Sequence, residues 1–380
     1  MIRVRDERDF VPGPDLFLGK RRHPVTLIID NDAVESVLTM SDCIGALDHV
    51  FREYSTGGAV NRPRSHTYTT RGDGRFYLFK SMDGGIASLG VHAIRISSDL
   101  THEFERDGLR RREKIPAAPG QRWVGLVMLF DMESLVPLAI MQDGYLQRMR
   151  VGATSGLAAK NLARPDARSV GMIGTGWQAG AQLLALHELG TIEEYRVFST
   201  DEGRCRRFCA EFTERLGLEV RPVASARDAV DAADIVALAT NSHDPVIDGA
   251  WLRPGQHVGS VQGHELDGRT LDRADRIVVR SREEATFHYA PGEAPLEASG
   301  RKDPDKRTRE KMVELGDVLL GRGGRRSVED ITLFVGGGTG ASSGLGIQFT
   351  AVANAVYRAV RAAGLGHEVP TEWFTEDRRP

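Results

Sequence analysis

Apolar positions along the chain follow two rhythms. Around residues 67–70, 76–79, 91–96 and 124–130 apolar and polar residues alternate, with turn signals at Gly72, Asp73 and Gly74 and again at Asp83, Gly84 and Gly85. Alternation with that punctuation predicts an antiparallel sheet, the natural floor for a substrate. After residue 169 the runs turn continuous, at 170–173, 195–198, 234–240, 257–261 and 276–279. Between them lie stretches of helical period: Ala181, Leu184, Ala185 and Leu189 share one face, and residues 201–216 form a second such stretch. Buried strands alternating with helices predict an α/β fold of the Rossmann type, a doubly wound parallel sheet.

The same patterning divides the chain. Residues 1–25, charged and rich in proline, form an arm, and residues 26–150 form a substrate-binding and dimerisation domain of α+β type. That domain begins with helical character over 26–54, where Asp30, Asn31 and Asp32 offer capping oxygens and Ser41 or Asp42 caps a second helix. A small-residue helix over 149–164 sits mostly in a connecting segment, 151–168, and leads to the dinucleotide-binding domain at 169–320. Residues 286–300 read as a loop, and 301–311 as a solvated charge run. Residues 321–380 return to the first domain, carrying a glycine tract at 336–346 and an amphipathic helix at 347–363.

Composition narrows the function classes. With 380 residues, 41% of them hydrophobic and 27% charged, the chain can bury two cores. A net charge of -3 gives no general pull towards nucleic acid or membrane, and no apolar run reaches the ~20 residues that span a bilayer. The charged start MIRVRDERDF is unlike a secretory signal, so a cytoplasmic location is expected. Cys43, Cys205 and Cys209 are too few for a disulfide framework or a four-cysteine metal site, and no metal is expected.

Candidate chemistry begins at SVGMIGTGWQAGAQ, from Ser169. A strand runs into Gly174, Thr175 and Gly176 and straight out into a helix, with Ala179 at the third small position. Gly174 turns the chain, Gly176 lets backbone approach a pyrophosphate, and the helix dipole stabilises the anion. Trp177 and Gln178 open that helix, and Thr240, Asn241, Ser242 and Val261 complete the expected cofactor-binding set. The acidic residue of an NAD site is expected about 20 residues after the turn. Here Ser199 and Thr200 end the second strand and Asp201 falls two places late, with Arg204, Arg206 and Arg207 just beyond. Hydroxyls and guanidiniums suit a 2'-phosphate, so NADP(H) is favoured over NAD(H).

RVGATSGLAAKNLAR from Arg150, the GMIGTGWQAGAQ turn, DIVALATNSHDPVI from Asp234, WLRPGQHVGSV from Trp251 and a final helix ending AAGLG occur in that order. The chain resembles the ornithine cyclodeaminase and mu-crystallin family in this ordered set, over roughly residues 26–370. The resemblance implies a homodimer in which N-terminal sheets pair, a last helix that rejoins the first domain, and hydride chemistry at the α-carbon of an amino acid or its imine. It implies that Arg150 and Arg64 hold the substrate carboxylate, for which a guanidinium fork is suited. Arg62 competes for the place of Arg64. Lys80, in DGRFYLFKSMDGG, matches the family lysine; two arginines beside it and burial would lower its proton affinity and fit it for proton transfer.

The sequence departs from the family in two places. His264 stands where the cyclodeaminase has an aspartate; it can act as acid or base near neutrality, but it supplies no permanent negative charge for an ornithine side chain. Gln348 and Phe349 replace an acidic pair at the start of the last helix. These residues point to an NAD(P)H-dependent oxidoreductase that reduces an imine or oxidises an α-amino acid. The alternatives are ornithine or lysine cyclodeamination with a recycled cofactor, and a non-catalytic protein that holds NADPH and small ligands.

Overall fold

A computed structural model of the protein describes residues 24–71, 73–106, 109–242, 244–282, 286–290, 305–337 and 344–376. Most of the expected arm, part of the 286–300 loop and most of the glycine tract fall outside these residues. The two hydrophobic rhythms become two sheets. The first is built from β1 (Val25–Ile29), β2 (Ala59–Asn61), β3 (Ser65–Thr70), β4 (Arg75–Ile86), β5 (Val91–Arg106), β6 (Leu109–Ile115), β7 (Val124–Asp131) and β8 (Pro137–Gln142). The second contains β9 (Ser169–Ile173), β10 (Glu194–Phe198), β11 (Val220–Pro222), β12 (Ile235–Leu238), β13 (His257–Ser260) and β14 (Arg276–Val279). Later come β15 (Phe287–Tyr289), β16 (Met312–Glu314), β17 (Thr332–Val335) and β18 (His367–Pro370).

The second sheet runs β11-β10-β9-β12-β13-β17-β14-β16, and every pairing in it is parallel. It is the doubly wound sheet that the continuous apolar runs predict. Its strands are buried on both faces, with Val170, Met172 and Ala237 in one core and Ile173, Val236 and Val258 in the other. The first sheet runs β15-β3-β4-β5-β7-β8-β1-β18, with β2 on β4 and β6 on β5. Its central pairings are antiparallel, but β1 joins β8 and β15 joins β3 in parallel.

Four expectations about the elements need correction. Val25–Ile29 (VTLII) is a strand, because a β-branched run pairs along β8 before Asp30 starts the first helix, Asn31–Val37. Thr39, not Ser41 or Asp42, caps the second helix, Met40–Thr56, by accepting from the Asp42 amide. Phe287–Tyr289 is not a loop: it adds to the edge of β3, and the Phe287 amide donates to the Arg64 carbonyl at 2.8 Å. Residues 321–380 do not all return to the first sheet, since Thr332–Val335 is a fully buried four-residue run inserted between β13 and β14. The chain crosses back only afterwards, through the C-terminal helix Gly346–Ala363, which packs on β4 and β5.

One helix holds the two sheets together. Gly144–Leu162 runs unbroken through the boundary expected at residue 150 and is buried along nearly all of its length. It lies against the helix after the glycine turn, Trp177–His187, so closely that a Cβ on Gly152 would stand 2.4 Å from the Ala181 carbonyl oxygen. Small residues there let the two backbones touch, and this contact sets Arg150 at a fixed distance from the glycine turn.

Candidate active site

The turn after β9 has the geometry of an anion cradle. Gly174 sits at φ +111°, where a side chain is strained, and a Cβ would lie 2.3 Å from the Ala239 carbonyl oxygen. Gly176 caps Trp177–His187 with no side-chain cap, and nothing lies within 4 Å of a Cβ built on it. The first helical N–H groups therefore open onto free space at the positive end of the helix. Thr175 is half-buried and Trp177 exposed, with the Trp177 carbonyl fixed by Arg148 Nε at 3.1 Å. Gln178 has a buried side-chain oxygen with no hydrogen-bond partner. A pyrophosphate fits this set.

The neighbouring loops are organised by a carboxylate that sequence reasoning passed over. Glu265 is fully buried and accepts from the Thr240 amide at 2.7 Å, the Thr240 hydroxyl at 2.9 Å, Ser260 Oγ at 3.0 Å and the Gln262 amide at 3.0 Å. Ser242 in turn donates its amide to Thr240 Oγ1, and Val261 donates to the Leu238 carbonyl. Asn241 is exposed beside them. His264 is exposed on the short turn Gly263–Glu265, next to buried Glu265. Asp201 caps its own helix, Glu202–Leu216, by accepting from the Arg204 amide at 2.9 Å, and pairs with the Arg204 guanidinium at 3.2 Å. The Arg204 backbone amide is the first cause holding its carboxyl below the usual aspartate range. Ser199 is half-buried and Thr200 exposed at the end of β10.

On the first sheet the structure brings the two expected arginines together. A Cβ built on Gly344 would lie 2.9 Å from Arg150 Nη1 and 3.0 Å from Arg64 Nη2. Arg150 is 2% exposed and Arg64 half-buried. Arg62 turns instead to Asp83. The Arg150 side chain donates to Gln348 Oε1 at 3.3 Å, and Gln348 Nε2 donates to Thr154 Oγ1 at 2.7 Å. Its guanidinium also lies 4.7 Å from the Phe349 ring centre. Gln348 and Phe349 thus give Arg150 an amide oxygen and an aromatic face, both neutral.

Two further arginines enter the same cluster. Arg95 on β5 is buried, bonds Asp143 Oδ2 at 2.6 Å and lies 5.5 Å from the centre of the Phe349 ring. Arg280, just past β14, is equally buried and lies 5.6 Å from the Phe334 ring centre. Burial first, then the charges of Arg280, Arg64 and Arg95, push the Arg150 guanidinium well below its ordinary range, with Asp143 opposing. Burial and Arg64 bring Arg280 down to about 9. A signal for Arg95 was in the strand alternation, since it shares parity with Val91, Ala93 and Ser97 on the buried face. Arg280 follows an apolar run at the carboxyl end of a parallel strand, where ligands of such sheets gather.

Lys80 has a partner that sequence reasoning did not name. It lies on β4 opposite Ser97, one step along the same face from the Met82–Arg95 pair. Its Nζ stands 3.3 Å from Asp99 Oδ2, and Lys114 reaches the other oxygen at 3.0 Å. A buried carboxylate is thus one of its partners, and Asp99 lies two residues along β5 from Ser97, on the same face. Burial opposes the Asp99 charge, but Lys80 and Lys114 outweigh it and hold the carboxyl below the usual range.

Fold and site together define a two-sheet α/β protein with an open glycine turn on the parallel sheet and a largely buried guanidinium cluster about Arg150. The chain belongs to the ornithine cyclodeaminase/mu-crystallin family, whose model matches residues 25–364. It is 28% identical to an alanine dehydrogenase of Archaeoglobus fulgidus over 358 residues, which covers 90% of this chain and 98% of that protein. Among solved structures it is similar to the Δ1-pyrroline-2-carboxylate reductase of Thermococcus litoralis in complex with NADH and L-proline, with TM-score 0.72 and 27% identity over 90% of this chain and all of the other. An archaeal alanine dehydrogenase dimer with bound NAD is similar at TM-score 0.70 and 27% identity, covering 91% of this chain and 99% of that one.

Proposed function

We propose that this chain is an NAD(P)H-dependent oxidoreductase that reduces an α-imino acid or oxidises the matching α-amino acid. The observation that carries this reading is the convergence of Arg64 and Arg150 on one point, with Arg150 on a helix packed directly against the cofactor-turn helix. The similar proteins act in the same chemistry: one is an alanine dehydrogenase, and another holds NADH beside L-proline. When bound, the dinucleotide supplies or accepts the hydride. Arg64 and Arg150 orient the carboxylate so that the α-carbon faces the cofactor side, and holding it there supplies much of the rate. Lys80, its ammonium held by Asp99, hands a proton to the substrate nitrogen or receives one. His264 is the second candidate for proton transfer, on the cofactor side.

The finer parts of the reading concern nucleotide and assembly. NADPH is favoured because Asp201 is turned into its own helix cap, leaving Ser199 and Thr200 just past β10 for a 2'-phosphate, with the Arg204 guanidinium, paired to Asp201, in the turn that follows. The similar solved structures hold NADH and NAD, so titration with both nucleotides is decisive: NADH at least about tenfold tighter overturns the NADPH assignment. A homodimer is supported by the outer face of the first sheet, where Ile94, Ile96, Leu126, Met128, Phe130 and Ile140 remain partly exposed in the single chain. No helix among the described residues is long and apolar enough to cross a membrane.

The direct test is oxidation of NADH and NADPH with Δ1-pyrroline-2-carboxylate and with α-keto acids plus ammonia, for the parent and Lys80→Ala. Net consumption of reduced nucleotide, slowed in the variant, is expected. Turnover of ornithine without net consumption would instead make the chain a cyclodeaminase, and equal rates in both proteins would remove Lys80 from the chemistry.

A further inference from the structure

We propose that protons reach Lys80 along a line of three side chains, His288, Tyr68 and His66, that joins the edge of the first sheet to the substrate site. This rests on the imino-acid reading above and assigns the proton supply of that site. Across β15, β3, β4 and β5, His288 stands opposite His66, His66 opposite Lys80 and Lys80 opposite Ser97, so the four form one row on one face of the sheet. Arg95, opposite Met82, lies on the same face. His66 is 3% and Tyr68 2% exposed, whereas His288 is open to solvent. The Tyr68 hydroxyl sits between the two imidazoles, 3.2 Å from His66 Nδ1 and 3.0 Å from His288 Nδ1. The Tyr68 and His288 rings stack with their planes 13° apart, and His66 meets His288 edge-on.

A hydroxyl carries one hydrogen, so between two ring nitrogens it donates to one and accepts from the other, which ties the tautomers of the two rings together. When His288 Nδ1–H donates to Tyr68, Tyr68 donates to His66 Nδ1, and neutral His66 carries its hydrogen on Nε2. A proton taken up at His288 Nε2 then moves the line by one place: the Nδ1 hydrogen passes to the Tyr68 oxygen, the Tyr68 hydrogen to His66 Nδ1, and His66 releases the hydrogen on Nε2. One ring would have been enough to satisfy the buried hydroxyl. The second arrives on β15, which follows β14 of the parallel sheet in the chain and is pinned beside the carboxylate clamp by the bond from the Phe287 amide to the Arg64 carbonyl. The last step, from His66 to Lys80, spans directly opposite residues with ~5 Å between their Cβ atoms, which the side chains or one bridging water can close. In the reduction the α-carbon of a neutral imine gains a hydride from NAD(P)H, its nitrogen gains a proton from the Lys80 ammonium, and the C=N double bond becomes a single bond. The Lys80 amine then takes the proton released by His66, Tyr68 and His288 refill His66, and His288 draws on water, so one solvent proton is used per hydride and NAD(P)+ leaves. Oxidation of the amino acid runs the line outward.

The test follows nucleotide oxidation, in the first turnover and in steady state, on the imine that the parent reduces best, for the parent, Tyr68→Phe and His288→Ala. Tyr68→Phe keeps the ring and removes the hydroxyl; kcat should fall at least about tenfold with KM within about twofold. The first turnover uses the proton already on Lys80 and should change less than about twofold, so a burst of about one nucleotide per site appears, which a packing defect would not produce. His288→Ala should lose about as much and regain at least about half of its kcat in imidazole, but not in sodium chloride of equal ionic strength. On a Lys80→Ala background Tyr68→Phe should cost less than about twofold, because both act on one proton. Unchanged kcat in Tyr68→Phe, or a first turnover slowed as much as kcat, overturns the relay and leaves the imino-acid reading standing. A readout without turnover is exchange of the His66 ring hydrogen with water, followed by NMR of protein labelled with 15N-histidine; Tyr68→Phe should slow it at least about tenfold. If the parent reduces no imine, slowed exchange keeps the proton path and sinks the imino-acid reading, and unchanged exchange sinks both.

Discussion

At the Gly174–Gly176 turn the proposed role falls to backbone, and room for it is made by leaving side chains out. At the Arg150 cluster the proposed role is carried by side chains: among the described residues Arg64, Arg95 and Arg280 act on Arg150 by their charge, and Asp143 opposes them. The two regions differ in what they cost the fold. The turn requires a φ of +111° and a carbonyl contact that only glycine allows, so it is locally demanding but electrically neutral until phosphate arrives. The cluster makes no such demand on the backbone; its cost is the burial of Arg150 and the repulsion between its guanidiniums. Loss of function at the first region should therefore come with loss of stability, and at the second without it.

Arg150→Met breaks the comparison most severely. It should lower kcat/KM about 1000-fold, by removing half of a bidentate clamp, while leaving the fold equally stable or about 1 kcal/mol more stable. Parallel kinetics and thermal melts check this, and a variant that melts early would assign Arg150 a structural role instead. At the turn, Gly174→Ala should cost about 3 kcal/mol in denaturant unfolding and weaken nucleotide binding together, because the new Cβ meets the Ala239 carbonyl.

A third effect comes from pH. Buried His257, bonded to Thr332, is pulled from 6.5 to about 3, first by burial and then by the charge of Arg325. The folded state keeps it neutral while the unfolded state takes up a proton below 6.5, so stability is full above that pH and falls as pH drops towards about 3. The loss should reach about 2 kcal/mol near pH 5, and His257→Gln should flatten this limb of the unfolding profile. The smallest effect is expected from Glu265→Gln, which turns an amide donor towards four donors. Nucleotide affinity should fall about threefold, with about 1 kcal/mol of stability, read by titration and by urea midpoint.

The turn was legible in sequence because everything it needs is contiguous: strand, two glycines and helix lie within residues 169–187. The parallel sheet was legible for the same reason, since each buried run announces itself. Thr332–Val335 looked no different from its neighbours, yet its slot between β13 and β14 depends on a crossover that periodicity does not encode. The cluster was half legible. Arg64 and Arg150 came from the family resemblance, whereas Arg95, Arg280 and Glu265 come from strands and turns far apart in the chain, and only the assembled sheets bring them to the cleft. Lys80 illustrates the limit from the other side: its strand was expected, but its partner Asp99 is set by register against β5.

Central to the proposed function is an anion held by Arg150 against a nicotinamide nucleotide held at the Gly174 turn. Titrating reduced nucleotide into the parent and Arg150→Met, then adding substrate-like carboxylate and following nucleotide fluorescence, tests both halves at once. Equal nucleotide affinity in the two proteins is expected, with a carboxylate-dependent fluorescence change in the parent only. The same carboxylate response in both proteins, or no nucleotide binding by either, would contradict it.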